Sequence, residues 1–358
     1  MADRYWILGT GTWSSTNTVN WSASSGGAGG ASVPTAADNV FFDANSNTGT
    51  NPFTVTMANS PRVCNDFLAS GLDGVMTLAG SKIGLTVSGS LTFPATNFIR
   101  TYDNPTTFNA TTTGKTVTTN GISVPNPTFN GVGGGWTLGS ALTASGFLTL
   151  TNGTFDTSSS GNYAVTSGSF ASSNSNTRVI NLNASTLSFT SISTMWDMGT
   201  STNATLNAGT STISATSNIS PKTFIGGGLS YATLDQGGST ALTITGSNTF
   251  SNITNTRKSV SATSILFTAG TTNTFTNWNA SGESGRLLTI GSATAASHTL
   301  SKASGTVNAD FLSISRSTAT GGATWNAGAN STDGGNNSGW IFGAPPATGK
   351  GNFLMFFQ

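Results

Sequence analysis

Charge is what this sequence has least of. Charged residues fill 7% of its 358 positions, with 13 Lys and Arg against 12 Asp and Glu, whereas an average soluble protein has roughly 25%. The net charge is +1, and Arg257 and Lys258 form the only adjacent basic pair. Because nucleic-acid surfaces cluster Lys and Arg, we expect no nucleic-acid partner.

Cysteine and histidine are almost absent. The single cysteine, Cys64, excludes an intrachain disulfide framework and a CxxC metal site, and we predict that it is a small buried residue on a strand. The single histidine, His298, has neighbours that favour the solvent-facing side of a strand over a base or ligand. Asp43–Asn47 resembles the opening of a calcium loop but is not followed by its glycine and final acid. We therefore expect no metal and no cofactor.

Long apolar runs are missing as well. No run approaches the ~20 residues that span a bilayer. The first residues lack the basic and apolar regions of a secretory signal. We expect no membrane insertion, and synthesis in a host cytoplasm without a secretion signal.

The few acidic residues argue against catalysis. Glycosidases need two carboxylates about 5–10 Å apart, and acids on neighbouring coils of a repeat structure could meet, but none lies in a suggestive motif. We therefore predict a protein that is not an enzyme, with no catalytic residues. A polysaccharide depolymerase is the minor alternative, with these candidate acids: Asp66, Asp73, Asp197, Asp235, Glu283 and Asp310.

What the sequence does contain is a repeated phrase, found at Leu85–Phe93, Leu148–Phe155 and Leu242–Phe250. In each copy apolar residues alternate with Thr or Ser, a Gly or Asn turn follows, and Thr-Phe comes next. Alternation at period two is typical of a strand with one buried face. The residues predicted to point inward are Leu85, Val87, Leu148, Leu150, Leu242 and Ile244.

These phrases predict an all-β fold. We find no convincing amphipathic helix, and Gly, Asn, Ser and Pro clusters separate the short strands. We favour a parallel β-helix, a β-solenoid with terminal caps and coils of roughly 20 residues. The phrases are 63 and 94 positions apart, which is not a clean multiple of 20, so a pair of tandem β-sandwiches remains the alternative.

The chain divides into three regions by composition: a Trp-rich N-terminal module at residues 1–60, a solenoid body at 61–342, and a linker with an apolar tail at 343–358. A repeat array exposes its core at each end, so the indoles of the first region fit a cap. The alternative is an aromatic glycan platform that contacts sugar through Trp13 and Trp21.

The apolar tail follows a Pro-Pro linker and consists of Phe353, Leu354, Met355, Phe356 and Phe357. Five large apolar side chains are costly to leave in water, because burial stabilises each by about 1.5–3 kcal/mol. The tail either folds back on its own body or contacts another subunit or protein. We favour the assembly contact, because the linker separates the tail from the body.

Three stretches also resemble known proteins: Arg4–Ser22, Ser25–Ala44 and Asp333–Phe342 are similar to structural proteins of tailed bacteriophages, especially aquatic phages. The resemblance implies a virion component such as a fibre, a tailspike or a capsid-decoration protein, with other virion proteins of the capsid or tail as partners. Fibres and spikes are commonly homotrimers, so we expect a homotrimer by analogy. A host-glycan-binding adhesin module is the alternative function.

Overall fold

The computed structural model describes residues 1–47, 49–190 and 193–343. The predicted fold class is confirmed: the chain is all-β, with 47% of its residues in strands, and its parallel sheets stack as a β-solenoid of about 13 turns. The described residues contain a single short helix, the 3₁₀ turn Ala44–Ser46.

The strands are short and follow one another closely. The first thirteen are β1 Asp3–Trp6, β2 Gly11–Trp13, β3 Trp21–Ser22, β4 Asn39–Phe42, β5 Phe53–Met57, β6 Arg62–Cys64, β7 Phe67–Ala69, β8 Met76–Ala79, β9 Leu85–Val87, β10 Leu91–Thr92, β11 Phe98–Arg100, β12 Thr106–Phe108 and β13 Lys115–Thr118. The next twelve are β14 Thr128–Leu138, β15 Leu142–Thr143, β16 Phe147–Asp156, β17 Val165–Ser167, β18 Ser169–Ala171, β19 Arg178–Asn181, β20 Thr186–Phe189, β21 Thr194–Asp197, β22 Ala204–Asn207, β23 Thr212–Ala215, β24 Lys222–Ile225 and β25 Ser230–Asp235. The last twelve are β26 Leu242–Thr245, β27 Thr249–Thr254, β28 Thr263–Phe267, β29 Thr272–Asn279, β30 Leu288–Ser292, β31 His298–Ser301, β32 Thr306–Asn308, β33 Leu312–Ile314, β34 Ser317–Thr320, β35 Thr324–Gly328, β36 Thr332–Asp333 and β37 Trp340–Phe342.

The coils up to β22 pass through three faces, and those after β22 lack the first of them. Face 1 stacks β1, β4, β7, β10, β13, the second halves of β14 and β16, β19 and β22. Face 2 begins with β2, β5, β8 and β11 and resumes with β15, β17, β20, β23, β25, β27 and β29. Beyond β29, the strand β31 pairs with its first residues and β34 pairs with β31, whereas β32, β35 and β37 continue face 2 above its second half, where Trp325 and Trp340 pack on Trp278. Face 3 runs from β6 through β9, β12, β14, β16, β18, β21, β24, β26, β28, β30 and β33 to β36. All these ladders are parallel; between the named strands of the described chain, only β1 and β3 pair antiparallel.

Coil length varies, and this explains the irregular spacing of the repeated phrases. Thr86, Thr107, Thr128 and Thr149 are ladder partners at steps of 21 residues, so the first two phrases are three coils apart on face 3. The third phrase lies on the same face, four coils further on, because intervening coils lengthen to 26 and 28 residues. The expected coil length of roughly 20 residues therefore fits the coils between the first two phrases, whereas two of the coils before the third phrase are longer.

The alternation prediction is confirmed at every residue named for it. All six inward residues of the three phrases are fully buried, and all but Leu85 have an apolar ladder partner on an adjacent coil. Ile244, for example, lies between Phe224 and Phe267. Cys64 is likewise a buried strand residue, partnered with Val87 on the adjacent coil.

The corners use residues that tolerate a left-handed backbone. Of the thirteen non-glycine residues with positive φ among the described ones, eight are Asn, in agreement with the predicted role of Asn and Gly at corners. Two glycines in β14 have a different cause. A Cβ on Gly131 or Gly134 would lie 1.7 or 2.0 Å from the carbonyl oxygen of Ala110, so no side chain fits where this coil crosses the one below.

Tryptophans close the stack at both ends. Trp6, Trp13 and Trp21 pack around Phe42 at the N-terminal end in edge-to-face and tilted arrangements, with centroid distances of 5.1–6.3 Å. At the other end the described chain finishes with a second group of three indoles, which are Trp278, Trp325 and Trp340. The first group belongs to coils whose strands continue into the body, since β4 pairs with β7 and β5 with β8.

Replacing an inward rung should cost far more stability than replacing its outward neighbour. For Ile244→Ala we expect a loss of about 3 kcal/mol in unfolding free energy, because the site cannot collapse around the cavity. For Thr243→Ala, one position away and facing solvent, we expect less than about 1 kcal/mol. Urea unfolding followed by circular dichroism measures both; equal losses would contradict the inward–outward assignment.

Candidate functional site

The residues predicted to form sites do not form an exposed surface in the described chain. The tail residues Phe353–Phe357 lie outside the described residues. Trp13 is 1% exposed and Trp21 0%, so the prediction of an aromatic platform at these two indoles is wrong. Both rings fill the space under the N-terminal coil, where a sugar cannot reach their faces.

The prediction that His298 lies on the solvent-facing side of a strand is also wrong. The residue is on a strand, β31, but it is fully buried and its ring stacks on Phe267 at 4.8 Å. Its Nδ1 lies 2.9 Å from the Ser292 hydroxyl, whereas Nε2 has no partner. Burial lowers the pKa of His298 to about 4, because the charged ring would lose its hydration. The imidazole is therefore neutral at pH 7.

The acidic side chains brace the corners of the coils. Nine of the twelve accept a hydrogen bond from a backbone N–H: Asp38, Asp43, Asp66, Asp103, Asp156, Asp197, Asp235, Asp310 and Asp333. Asp235 is the most enclosed of the original candidates. It accepts from the hydroxyls of Ser214, Thr254 and Thr256 at 2.7–2.8 Å. These bonds occupy both of its carboxylate oxygens.

Three buried cations donate hydrogen bonds to backbone carbonyl groups in a similar way. Arg62, Arg178 and Lys222 each take the place of an apolar rung and are at most 6% exposed. The Lys222 ammonium donates to the carbonyl oxygens of Ser217 and Thr240 at 3.1 and 3.0 Å. Burial, with a smaller contribution from the nearby charge of Arg257, lowers the pKa of Lys222 to about 8. In the described chain the one ion pair joins Arg286 to Glu283 at 3.4 Å.

An uncharged polar surface covers face 3 between β9 and β16. Two outward columns run up these coils, and we call them together the hydroxyl–amide array: Thr86, Thr107, Thr128 and Thr149 in one column, Ser88, Asn109, Asn130 and Asn152 in the other. Neighbouring rungs are about 4.8 Å apart. The amide of Asn152 donates to Asn130 at 2.7 Å, and the Ser88 hydroxyl donates to Asn109 at 2.9 Å.

The array ends at a surface cavity of about 380 Å³, at the corner where β14 and β16 turn from face 3 to face 1. Asn152, Asn176 and several Thr and Ser residues form its walls, and Gly133 and Gly153 form part of its floor. Val132, which is 76% exposed, forms one edge. The cavity wall carries no ionisable side chain, so it offers hydrogen bonds and a small apolar contact without charge.

The sequence contains a signal for this surface that the alternation of apolar and polar residues alone does not reveal. Phe108–Asn109 and Phe129–Asn130 are the same dipeptide 21 positions apart, and that is the local coil length. A buried Phe followed by an outward Asn, repeated at the coil period, places the amides in one column. Finding it requires the coil length, which the sequence alone left uncertain.

No cluster of three or more His, Cys, Asp or Glu side chains in the described residues could hold a metal ion. The described residues also include no helix of the length and apolarity needed to cross a bilayer. Comparison with protein-family models, with curated proteins and with solved structures finds no match.

The buried neutral imidazole predicts a loss of stability in acid. Its pKa is lower in the folded chain than the ordinary 6.5, so below pH 6.5 the unfolded chain binds the proton more readily. Stability should fall as the pH drops from 6.5 to 4, by up to about 3 kcal/mol. Urea unfolding at pH 7, 5.5 and 4.5 measures this loss.

His298→Phe is the matched control, because it keeps a ring against Phe267 and removes the titration. The unfolding free energy of the wild type minus that of the variant should decrease as the pH falls, because only the wild type loses stability through protonation of His298. A difference that is constant from pH 7 to 4.5 would contradict the buried neutral state.

Proposed function

We propose that this chain is a non-enzymatic structural protein of a tailed-phage particle, a fibre, spike or capsid-decoration component that presents a rigid β-rod and attaches through its terminal segments. The sequence resemblance at Arg4–Ser22, Ser25–Ala44 and Asp333–Phe342 is the reason to place it in a phage. The architecture is the reason to assign it a mechanical role. About 13 stacked turns make a rod of roughly 60 Å at ~4.8 Å per turn.

The observation that carries the proposal is how the ionisable groups are used. Nine of twelve acids cap backbone N–H groups at corners, and three buried cations bind corner carbonyls. A catalytic carboxylate needs a free oxygen facing substrate. Here most of the acidic groups and the three buried cations hold the coils in shape, as a scaffold requires.

The attachment part of the proposal rests on the tail. A segment of five large apolar residues after a Pro-Pro linker has the chemistry of a contact with another protein. Since phage fibres and spikes are commonly trimers, a homotrimer remains the oligomer we expect.

Removing the tail should separate assembly from folding. Deletion of Asn352–Gln358 is expected to abolish incorporation into particles and leave the far-ultraviolet circular dichroism of the β fold unchanged. Quantitative blotting of purified particles measures incorporation. A matched variant, Thr348→Ala in the linker with the apolar residues kept, should incorporate normally. Unchanged incorporation of the deletion variant would remove the tail from the proposal.

A host-glycan adhesin is the second candidate function, and the hydroxyl–amide array with its cavity favours it. A neutral polysaccharide needs many hydrogen-bonding groups and no particular charge, and these eight residues and the cavity wall provide that. The Nδ2 groups of Asn109 and Asn130 have no partner among the described residues, so they are available to a ligand.

This candidate predicts a specific loss of binding. The double variant Asn109→Ala/Asn130→Ala should bind purified host polysaccharide roughly 5- to 150-fold more weakly, because each of the two lost hydrogen bonds contributes about 0.5–1.5 kcal/mol. Asn279→Ala, on a different ladder of face 2, is the matched control and should bind as wild type. Equal binding by all three proteins would exclude the array, and shortening of the polysaccharide during the assay would instead indicate a depolymerase.

A further inference from the structure

Face 1 stops in the middle of the solenoid. Its last strand, β22, pairs with β19 on one side. Among residues 1–47, 49–190 and 193–343 no strand pairs with its other side. The next coil turns at Gly226–Gly228 and continues directly into β25 of face 2. The Ser201 hydroxyl donates to the carbonyl of Gly227 at 2.8 Å, which fixes this short cut and leaves β22 as a ledge.

The ledge presents unused backbone hydrogen-bonding groups. The carbonyls of Asn203 and Asn207 accept from Arg178 and Leu182 of the coil below, at 3.1 and 3.0 Å. Alternate residues of a parallel strand bond to opposite neighbours, so the N–H and C=O of Leu206 and the C=O of Ala204 face the open side. An open strand edge of this kind is a template for a further strand.

The packing of the side chains at the ledge is also incomplete. Trp136, Phe155 and Ile180 form the inward column below Leu206 and are at most 1% exposed, whereas Leu206 and Ala204 are only partly buried. On the outward side an amide ladder runs from Asp156 through Asn181 to Asn207. There Asn207 donates downward at 2.8 Å, and its Oδ1 has no partner among the described residues.

We propose that the open edge of β22 is the receptor for the terminal segment Asn352–Gln358 of a neighbouring copy, which adds to it as an antiparallel strand. This inference rests on the assembly role proposed for the tail and names what the tail binds. Strand addition supplies affinity through backbone hydrogen bonds and specificity through the side chains at alternate positions.

The sequence of the segment matches the ledge. An antiparallel strand with Asn352 beside Asn207 places Phe353 over Leu206 and Met355 over Ala204. The side chain of Asn352 can then donate to the open Oδ1 and extend the amide ladder by one rung. Two large apolar side chains at the same time cover the two inward residues that the coil leaves partly exposed.

Chain length favours the tail of a neighbour over the chain's own. The nine residues from Gly343 to Asn352 reach at most about 30 Å when fully extended. Along face 2, six rungs separate β23, which follows β22, from β37, and a strand added to β22 lies one of these rungs higher than β22. The linker would have to descend the remaining five rungs, about 24 Å, and also cross from face 2 to face 1. The chain's own tail would therefore need a nearly fully extended linker, a constraint that does not apply to the tail of a neighbour.

Disulfide trapping between two full-length variants tests the pairing. Asn207→Cys protein is mixed with Asn352→Cys protein under mild oxidation, and disulfide-linked dimers are quantified on non-reducing gels. Native Cys64 does not compete, because it is fully buried and burial raises the pKa of its thiol. Asn130→Cys is the matched control, since it is an exposed outward Asn on a strand paired on both sides. We expect the 207–352 dimer to form at least about tenfold faster than the 130–352 dimer.

Two results would overturn the proposal. One is equal yields from the 207 and 130 partners. The other is a double variant, Asn207→Cys/Asn352→Cys, that closes within one chain at a rate independent of protein concentration, which would make the chain's own tail the occupant.

A second variant pair separates this proposal from the assembly role itself. Leu206→Pro removes the open-edge N–H without removing a hydrogen bond to β19, and Leu206→Ile keeps it. Light scattering should show dissociation to monomer for the first and wild-type oligomers for the second, with the circular dichroism of both unchanged. If Leu206→Pro still oligomerises and enters particles while the tail deletion does not, the tail attaches elsewhere; the proposed function then stands and this receptor is wrong.

Discussion

The parallel hydrogen-bonded register between successive coils is the constraint on which the rest of this structure depends. Each residue lies beside one that is a whole coil away in sequence, so inward and outward positions must agree from coil to coil although ladder partners are between 14 and 44 residues apart. A slip of one residue would turn every side chain of a strand to the other face. Differences in length are therefore confined to the corners, where Asn and Gly accept a left-handed backbone.

That constraint also accounts for the distribution of charge. Corners leave backbone N–H and C=O groups without ladder partners, and buried groups of this kind are costly unless they are bonded. Carboxylates bond the N–H groups, and Arg62, Arg178 and Lys222 bond the carbonyls. The faces between corners are then built from Thr, Ser and Asn, so the rod has a polar surface with little charge. Shape and a neutral surface are what the fold offers to any partner.

The alternation of apolar residues with hydroxyls was enough to predict the all-β class, the solenoid and the six inward residues of the repeated phrases. It failed where a residue on the neighbouring coil determines whether a side chain is buried. His298 has a polar side chain in a hydroxyl-rich stretch, yet the coil below places Phe267 under it and buries it. Trp13 and Trp21 were compatible with a cap or a platform, and only their packing around Phe42 separates the two. The ledge at β22 depends on a glycine corner that replaces a strand, and composition does not distinguish such a corner from an ordinary turn.

Taken together, the register, the braced corners and the uncharged faces describe a molecule suited to hold a shape, and the open edge of β22 is where we propose that it is attached. The most direct measurement of this account is immunogold labelling of purified particles with an antibody against the chain, imaged by electron microscopy. The account predicts label at one defined position on every particle. Label confined to the soluble fraction of the lysate, with none on particles, would contradict it.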